Sequence, residues 1–254
     1  MALVLVEKRD RVAVLTLNDP DHRNSLTLPM VDEIVEAFDA LEADDDVGAV
    51  VVTGAGKGFC AGADLGNLGS SATTTGGGFR SIYEGFMRVG RSSLPTLAAV
   101  NGAAVGAGMN LALACDLRVA GTSARFDCRF LDLGLHPGGG HTWMLRDAVG
   151  KHAAAAMVLF GQILDGETAA RYDLAWECVD DGSLIDRSVE IAARAASGPK
   201  ELVVELKKTL HDMRAIDDPV AAMERELKPQ VWSREQPWFA ERLAAIKARV
   251  QSKK

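Results

Sequence analysis

The sequence predicts an α/β fold whose strands lie in the first half of the chain and whose last third is helical. Short apolar runs at 12–17, 49–53 and 97–100 are typical of buried strands, and glycine turns and helical patterns separate them. This alternation of strand, turn and helix favours parallel strands. After Gly150 the strand pattern fades, and apolar residues recur at helical spacing instead.

Helical periodicity predicts the individual helices in chain order. We expect one to begin near Pro29, one to occupy 109–114, one to begin at His141, one to follow Pro199 and a last one to lie near the C-terminus. The apolar residues that carry these patterns are Met30, Ile34, Phe38 and Leu41 in the first, Trp143, Met144 and Leu145 after His141, Leu202, Leu206, Leu210 and Met213 after Pro199, and Leu243, Ile246 and Val250 in the last. We therefore expect a core over residues 1–195 and a helical region over 196–254.

Composition narrows the classes of function. The 254 residues, of which 48% are hydrophobic, can bury one substantial core. The net charge of −7 offers no basic face to a nucleic-acid backbone. The longest apolar runs fall far short of the roughly 18 to 20 residues of a membrane span, and no basic region followed by an apolar stretch stands at the start. We expect a cytoplasmic protein that binds neither nucleic acid nor membrane.

The cysteines indicate neither a disulfide framework nor a metal site. They are Cys60, Cys115, Cys128 and Cys178, with no CxxC pair and no histidine at metal-ligand spacing. We therefore expect no metal. Cys128 could act as a thiol nucleophile, but no histidine adjoins it in sequence, so a buried thiol is the favoured interpretation.

Two glycine-rich segments carry the candidate chemistry. In 52–65 the phosphate-binding pattern GxxxxGK[ST] is absent, and GxGxxG fails because Phe59 stands at its third glycine. What remains is a strand and a tight turn that presents the backbone N–H of Ala63. Segment 100–108 follows an apolar strand and opens a helix, whose N-terminus offers unpaired N–H donors. One donor from each segment would form an oxyanion hole able to stabilise the enolate of a thioester.

Five groups of motifs, in order along residues 3 to 180, resemble those of the crotonase (enoyl-CoA hydratase/isomerase) superfamily. They are Leu17-Asn18-Asp19-Pro20 with Arg23-Asn24-Ser25-Leu26, Thr53-Gly54-Ala55-Gly56 with Phe59-Cys60-Ala61-Gly62-Ala63-Asp64-Leu65, Ala99-Val100-Asn101-Gly102, Leu111-Ala112-Leu113-Ala114-Cys115-Asp116-Leu117-Arg118-Val119-Ala120, and Leu133-Gly134-Leu135 with Pro137-Gly138-Gly139-Gly140. The resemblance implies a spiral of repeated ββα units with a helical C-terminal trimerisation region. It also implies assembly as a homotrimer or a dimer of trimers.

By motif position, the resemblance assigns roles to individual residues. The oxyanion donors would be the backbone N–H groups of Ala63 and Ala107. Residues along coenzyme A would be Arg23, Ser25, Ala61, Asp64 and Leu65, and residues facing the acyl portion would be Gly108 and Phe130, with Asn110 and Gly138 also among the substrate-binding positions. The ligand would be an acyl-CoA thioester, so that coenzyme A enters as part of the substrate and no separate cofactor is expected. The loop at 66–78 would be either a lid or pocket wall, or an idle surface excursion.

The chain departs from the family at both acid–base positions. Hydratases of the family use two glutamates, and Asn110 and Phe130 stand where those would be. Neither side chain titrates, and the loss of a positioned general acid or base typically costs about 10²- to 10⁴-fold in rate. Asn110 could orient a water or bind substrate, although capping or filling space is an equal alternative.

Two nearby residues are candidate catalytic substitutes. Asp132 would project to the same side as Phe130 if the segment were extended. His136 flanks the glycine turn at 137–140, and histidine is a common general acid or base. The simpler interpretation of both is an exposed or turn-stabilising residue. His141 is expected only to begin its helix.

These features lead to three hypotheses of function. The leading one is an acyl-CoA thioester lyase or isomerase of the enoyl-CoA hydratase/isomerase type, acting in fatty-acid-type metabolism with atypical acid–base residues beside its oxyanion hole. The alternative is a non-catalytic acyl-CoA-binding protein. Thioester hydrolase or dehalogenase-like chemistry ranks last, because it would need a carboxylate where Gly138 stands.

Overall fold

A computed structural model describes residues 2–64 and 82–252. Leu65 and the predicted loop at 66–78 lie outside the described residues. The chain forms two compact units, one over residues 1–196 and one over 197–254. Among the described residues, no helix combines the length and apolar character needed to cross a bilayer.

The strands and helices are numbered in chain order. The strands are β1 (Val4–Arg9), β2 (Val12–Leu17), β3 (Ala49–Gly54), β4 (Gly58–Cys60), β5 (Thr96–Val100), β6 (Ala103–Val105), β7 (Leu117–Gly121), β8 (Arg125–Asp127), β9 (Leu164–Asp165) and β10 (Glu177–Val179). The α-helices are α1 (Leu28–Ala43), α2 (Tyr83–Gly90), α3 (Ala107–Ala114), α4 (His141–Phe160), α5 (Gly166–Arg171), α6 (Leu184–Ala196), α7 (Lys200–Asp212), α8 (Pro219–Arg234) and α9 (Pro237–Gln251). The predicted strands and helices are all present, but β9 and β10 lie after Gly150, where the sequence pattern predicted no strand.

The strands of the first unit form two sheets. The larger has the order β1-β2-β3-β5-β7-β10, in which β1 is antiparallel to β2 and the remaining pairs are parallel. Every residue of β3 and β5 is buried, as expected for parallel strands covered on both faces. The predicted parallel arrangement is confirmed.

The smaller sheet has the order β4-β6-β8-β9. Its strands β4, β6 and β8 run parallel, and β9 is antiparallel to β8. In chain order, β5-β6-α3 and β7-β8-α4 each contribute a strand to the larger sheet, a strand to the smaller one and then a helix. This is the repeated ββα unit implied by the resemblance. The carboxyl ends of β4, β6 and β8 therefore share one edge of the smaller sheet.

Helix α1 illustrates how the sequence pattern produces the core. Thr27 caps its N-terminus, because the hydroxyl oxygen accepts a hydrogen bond from the N–H of Met30 at 3.3 Å. Pro29 occupies the first turn, where a missing N–H costs no helical bond. The predicted apolar face is buried, with Ile34 and Phe38 fully inaccessible. Helix α1 thus supplies one wall of the core.

The second unit consists of the helices α7, α8 and α9, as the helical pattern after Gly150 predicts. Helix α8 is capped by Asp218, whose carboxylate accepts from the N–H of Ala221 at 2.8 Å, and it continues through Pro229. Several large apolar side chains on these helices are exposed in the single chain, among them Leu206, Leu210, Met223, Leu227, Val231, Leu243, Ile246 and Val250.

Candidate active site

Two asparagines fix the turn that joins β3 to β4. Asn24 is fully buried, and its amide nitrogen donates to the carbonyl oxygens of Ala55 and Gly58 at 2.9 Å each. Its amide oxygen accepts from the N–H of Asp19 at 2.9 Å. Asn24 adopts φ 56°, a left-handed conformation that asparagine tolerates better than most residues. One side chain therefore satisfies three backbone groups and fixes the turn against the segment that follows β2.

Asn101 holds the same turn from the end of β5. Its amide nitrogen donates to the carbonyl oxygens of Gly54 and Gly56, at 2.8 and 3.1 Å. Its amide oxygen accepts from the N–H of Gly54 at 3.2 Å. The turn between β3 and β4 is thus held from both sides by asparagines of the sequence motifs.

The N–H of Ala63 points away from the strand segment beside it. Leu26 and Ala63 form a parallel bridge, in which Leu26 donates to the carbonyl of Gly62 at 2.7 Å and Asp64 donates to the carbonyl of Leu26 at 3.3 Å. Because successive N–H groups of an extended segment point to opposite sides, the N–H of Ala63 faces away from Leu26. Within residues 2–64 and 82–252, no backbone hydrogen bond takes up this donor.

Ala107 supplies a second donor of the same kind. It is the first residue of α3, which follows Gly106, so its N–H has no partner within the helix. A Cβ atom on Gly62 would lie 2.6 Å from the carbonyl oxygen of Val105 and 3.5 Å from the nitrogen of Ala107. Gly62 also has φ 97°, which disfavours other residues. Glycine at position 62 therefore allows the two amides to approach each other.

Gly108 allows a similar approach one residue later. A Cβ atom there would collide with the carbonyl oxygen of Cys60. The first turn of α3 consequently packs directly on the backbone at the end of β4. Ala63 and Ala107 lie beyond the carboxyl ends of the neighbouring parallel strands β4 and β6, so the two predicted donors share one edge of the smaller sheet.

The residues predicted to lie along coenzyme A surround the first donor. The N–H of Ala61 donates to the carbonyl of Arg23 at 3.0 Å, which joins this segment to the one that follows β2. Arg23 is exposed, and Ser25 is buried. Asp64 is half-buried next to Ala63. Of the predicted set, Leu65 alone lies outside the part of the chain that the structure describes.

A buried polar cluster, which we name the Asn110–His141–Cys128 cluster, joins α3, the start of α4 and the residue after β8. The Nδ1 atom of His141 lies 2.7 Å from the amide oxygen of Asn110, and its Nε2 atom lies 3.2 Å from the sulfur of Cys128. Asn110 and His141 are each 1% exposed and Cys128 is 5% exposed. The prediction that Cys128 is buried is confirmed, but it has a histidine partner that the sequence did not reveal.

Hydrogen bonds around the Asn110–His141–Cys128 cluster fix its protons. The amide nitrogen of Asn110 donates to the carbonyl of Gly138 at 3.1 Å. Since that carbonyl only accepts, the amide oxygen of Asn110 must face His141, and Nδ1 of His141 must carry the hydrogen. The Nε2 atom is then an acceptor and faces the thiol of Cys128. The thiol of Cys128 therefore donates to Nε2 of His141, and Nδ1–H of His141 donates to the amide oxygen of Asn110.

The segment that contains Phe130 and Asp132 is not extended, as was assumed for Asp132. The ring of Phe130 is half-buried and packs edge-on against His141, with ring centroids 4.8 Å apart. Residues 130–134 form turns rather than an extended segment, with the N–H of Gly134 donating to the carbonyl of Leu131. The extended geometry assumed for Asp132 is therefore wrong. Its side chain is 72% exposed and lies 3.9 Å from Nε of Arg129.

His136 and Gly138 lie on the segment that leads into α4. His136 is exposed, and its Nδ1 atom is 2.8 Å from the carbonyl oxygen of Pro137. A Cβ atom on Gly138 would collide with the hydroxyl of Tyr83. Position 138 therefore has no room for a larger side chain while Tyr83 keeps its place. The turn at 137–140 contacts Asn110 through its backbone and leads directly to His141.

Burial determines the charge of both titratable members of the cluster. It lowers the pKa of His141 from 6.5 to about 4, because the imidazolium is costly away from water. Burial also raises the pKa of the Cys128 thiol to about 12, and the neighbouring charge of Asp127 adds to this effect. The pair is therefore a neutral thiol and a neutral imidazole at pH 7.

We predict that His141 makes folding sensitive to mild acid. Its folded pKa lies below its unfolded value, so the unfolded chain binds the proton first and stability falls as the pH drops from about 6.5 to 4. At 1.4 kcal/mol for each pH unit, the loss amounts to roughly 3 kcal/mol in the free energy of unfolding. Urea titrations across this range should show a correspondingly smaller loss in His141→Gln.

His152, which is exposed, provides the matched control. His152→Gln should keep the pH dependence of the wild type. If the stability of His141→Gln depended on pH as strongly as that of the wild type, the pKa of His141 would not be lowered in the folded protein.

Comparisons with known proteins identify relatives of the whole chain. The family model described as enoyl-CoA hydratase/isomerase matches residues 7–236. A probable enoyl-CoA hydratase, EchA14, of Mycobacterium tuberculosis (strain ATCC 25618 / H37Rv) is 49% identical over 255 residues, covering 97% of this chain and 98% of that protein. A 1,2-epoxyphenylacetyl-CoA isomerase of Escherichia coli (strain K12) is 35% identical over 204 residues, covering 78% of each. The crystal structure of a probable enoyl-CoA hydratase/isomerase from Mycobacterium abscessus matches with a TM-score of 0.86 at 31% identity, covering 97% of this chain and 96% of that one.

Proposed function

The chain belongs to the enoyl-CoA hydratase/isomerase family, and from this premise we propose that it is a lyase or isomerase acting on an acyl-CoA thioester. The fold is the predicted crotonase-like one, as the match to solved structures of the family confirms. In the proposed reaction the thioester oxygen lies between the N–H groups of Ala63 and Ala107. These donors stabilise the enolate that forms when a proton leaves the α-carbon.

This proposal rests mainly on one observation: the backbone N–H groups of Ala63 and Ala107 lie at the same edge of the smaller sheet. A Cβ atom on Gly62, next to Ala63, would come within 3.5 Å of the nitrogen of Ala107. Neither N–H donates to a backbone carbonyl among the described residues. Donors that are fixed by the fold need no reorganisation when charge develops, and each is worth about 10²- to 10³-fold in rate.

Coenzyme A would run along the segment that surrounds the first donor. Arg23 is exposed there, and its Cβ lies 3.8 Å from where a Cβ of Gly58 would be, beside the exposed Lys57. Two cations at this position suit the phosphates of coenzyme A. Ser25, Ala61 and Asp64 complete the proposed contacts.

We keep His136 and Asp132 as the proposed acid–base residues. Asn110 and Phe130, at the two positions that hold glutamates in hydratases of the family, cannot exchange a proton with the substrate. His136 is the stronger candidate, since it is exposed beside the turn that contacts Asn110. Asp132 is exposed as well, but its carboxylate lies close to Arg129.

Deuterium exchange tests this function without knowledge of the product. In D₂O, the protein should exchange the α-protons of butyryl-CoA or decanoyl-CoA faster than the uncatalysed rate, because the oxyanion hole stabilises the enolate. His136→Gln should lower the rate by about 10²-fold or more. His152→Gln, also exposed, serves as the matched control. An unchanged rate in both His136→Gln and Asp132→Asn would reject these two assignments.

The same experiment decides between the enzyme and a non-catalytic acyl-CoA-binding protein. The absence of a titrating side chain at positions 110 and 130 favours that alternative. Saturable binding of the acyl-CoA with no exchange and no conversion of crotonyl-CoA would support it and overturn the catalytic proposal.

We also propose that the chain assembles as a homotrimer or a dimer of trimers. The exposed apolar side chains of α7, α8 and α9 support this, because unassembled chains rarely expose so many. Sedimentation equilibrium would give the mass of the assembly.

A further inference from the structure

The Asn110–His141–Cys128 cluster has the order of a nucleophilic triad. Such a triad consists of a nucleophile, a base within hydrogen-bond reach of it and a third group that orients the base. Cys128 lies 3.2 Å from Nε2 of His141, and Asn110 accepts from Nδ1 at 2.7 Å. The hydrogen bond from Asn110 to the carbonyl of Gly138 fixes the amide, so the imidazole presents its bare nitrogen to the thiol.

The backbone of Cys128 also lies at the sheet edge where Ala63 and Ala107 are found. Cys128 directly follows β8, whose last residue, Asp127, pairs with Val105 at the end of β6. The carbonyl of Asp127 accepts from the N–H of Gly106 at 2.9 Å, one residue before Ala107. Neighbouring strands are about 5 Å apart, so the backbone of Cys128 lies about one strand spacing from the segment that carries the N–H of Ala107.

The backbone of Cys128 approaches Gly106, the residue before α3. A Cβ atom on Gly106 would meet nothing closer than the carbonyl oxygen of Cys128, at 3.9 Å. Ala63, Ala107 and Cys128 follow the ends of β4, β6 and β8, which are neighbours in the sheet. If the N–H groups of Ala63 and Ala107 hold the thioester oxygen, the carbonyl carbon lies beside the end of β8, which Cys128 follows.

We propose that Cys128 is a nucleophilic thiol that accepts the acyl group of an acyl-CoA thioester, with His141 as its general base and Asn110 as the residue that positions His141. This inference rests on the proposed function for its substrate class and its oxyanion hole. It adds an acyl-transfer activity to the enolate chemistry. Burial raises the pKa of the Cys128 thiol and lowers that of His141, so the pair rests as a neutral thiol and a neutral imidazole. The proton must therefore pass to the imidazole as the sulfur attacks, since no free thiolate forms beforehand.

The transfer balances without any further reactant. The sulfur of Cys128 bonds to the thioester carbonyl carbon while its proton passes to Nε2 of His141. The negative oxygen is held by the N–H groups of Ala63 and Ala107. The bond from the carbonyl carbon to the coenzyme A sulfur then breaks, and that sulfur takes the proton from His141. The products are free coenzyme A and an acyl group in thioester linkage to Cys128, which water can hydrolyse to a carboxylic acid.

Mass spectrometry on the full chain tests this inference. The protein is incubated with butyryl-CoA or decanoyl-CoA, quenched in acid and digested, while released coenzyme A is followed separately. We expect one acyl group on the peptide containing Cys128, or release of coenzyme A and free acid where water discharges the adduct. Cys128→Ala should abolish both, and His141→Gln should slow them by about 10²- to 10⁴-fold.

Cys178→Ser is the matched control, because Cys178 lies on β10 of the larger sheet and takes no part in the site. It should acylate at the wild-type rate. Circular dichroism establishes that each variant is folded, and the adduct on the wild-type chain supports the inference even if Cys128→Ala does not fold. An acyl group found on another residue would overturn it.

Measuring α-proton exchange in the same samples separates the two proposals. Exchange with neither an adduct on Cys128 nor release of coenzyme A would overturn this inference and leave the proposed function supported. Acyl transfer without exchange would support the inference and overturn the enolate chemistry. If neither butyryl-CoA nor decanoyl-CoA binds saturably, both proposals fail.

Discussion

Ala107→Pro is expected to lower the rate of α-proton exchange by about 10²- to 10³-fold while leaving the protein folded. Ala107 is the first residue of α3, a position where proline is well tolerated because the N–H has no helical partner. Gly106 has φ 52° and ψ −113°, outside the α region that a following proline disfavours. The substitution therefore removes one oxyanion donor and little else. The measurement is the exchange rate of butyryl-CoA in D₂O, together with the free energy of unfolding.

Ala107→Gly is the matched control for this prediction. It keeps the N–H and should retain an exchange rate within about tenfold of the wild type. If Ala107→Pro exchanged as fast as Ala107→Gly, the amide at position 107 would have no part in stabilising the enolate.

Asn24→Ala is expected to lower the free energy of unfolding by about 3 to 5 kcal/mol. The buried side chain satisfies the carbonyls of Ala55 and Gly58 and the N–H of Asp19, and each group left unpaired costs about 1 to 3 kcal/mol. Alanine also tolerates φ 56° less well than asparagine. Urea denaturation would measure the loss, and binding of acyl-CoA should weaken because the turn leading to Ala63 loses its support.

Asn18→Ala provides the comparison within the same segment. The side chain of Asn18 makes an exposed hydrogen bond to the carbonyl of Ala2. Its removal should cost less than about 0.5 kcal/mol. A similarly small loss in Asn24→Ala would mean that the turn between β3 and β4 holds its shape without the buried amide.

Local sequence patterns predicted part of the fold, namely three of the ten strands and five of the nine α-helices that the structure describes. Periodicity located β2, β3, β5 and the apolar face of α1, because one buried face imposes the same spacing wherever it occurs. The smaller sheet was not predicted from periodicity, since β4, β6 and β8 have three residues each and show no measurable period. Its arrangement depends on contacts distant in sequence, which the family resemblance supplied through the implied ββα repeat.

The sequence predicted the part of the candidate site that is formed by backbone N–H groups, but it did not predict the contacts between side chains. Glycine and small residues at 62 and 106–108 are visible in the sequence, and they allow two amides to approach each other. The Asn110–His141–Cys128 cluster was missed, because its members are 13 and 31 residues apart and meet only when α3, α4 and the end of β8 pack together. The extended backbone assumed around Asp132 was wrong, since a turn and an extended segment differ by backbone angles that the sequence does not reveal.

Polarisation of the thioester carbonyl tests most directly whether the amides of Ala63 and Ala107 form an oxyanion hole. The measurement is the infrared stretching frequency of butyryl-CoA labelled with ¹³C at the thioester carbonyl, free and bound to the protein at saturation. Two hydrogen bonds to the oxygen should lower the frequency on binding, and Ala107→Pro should reverse part of that decrease. A bound carbonyl that absorbs at the frequency of the free thioester would contradict the oxyanion hole.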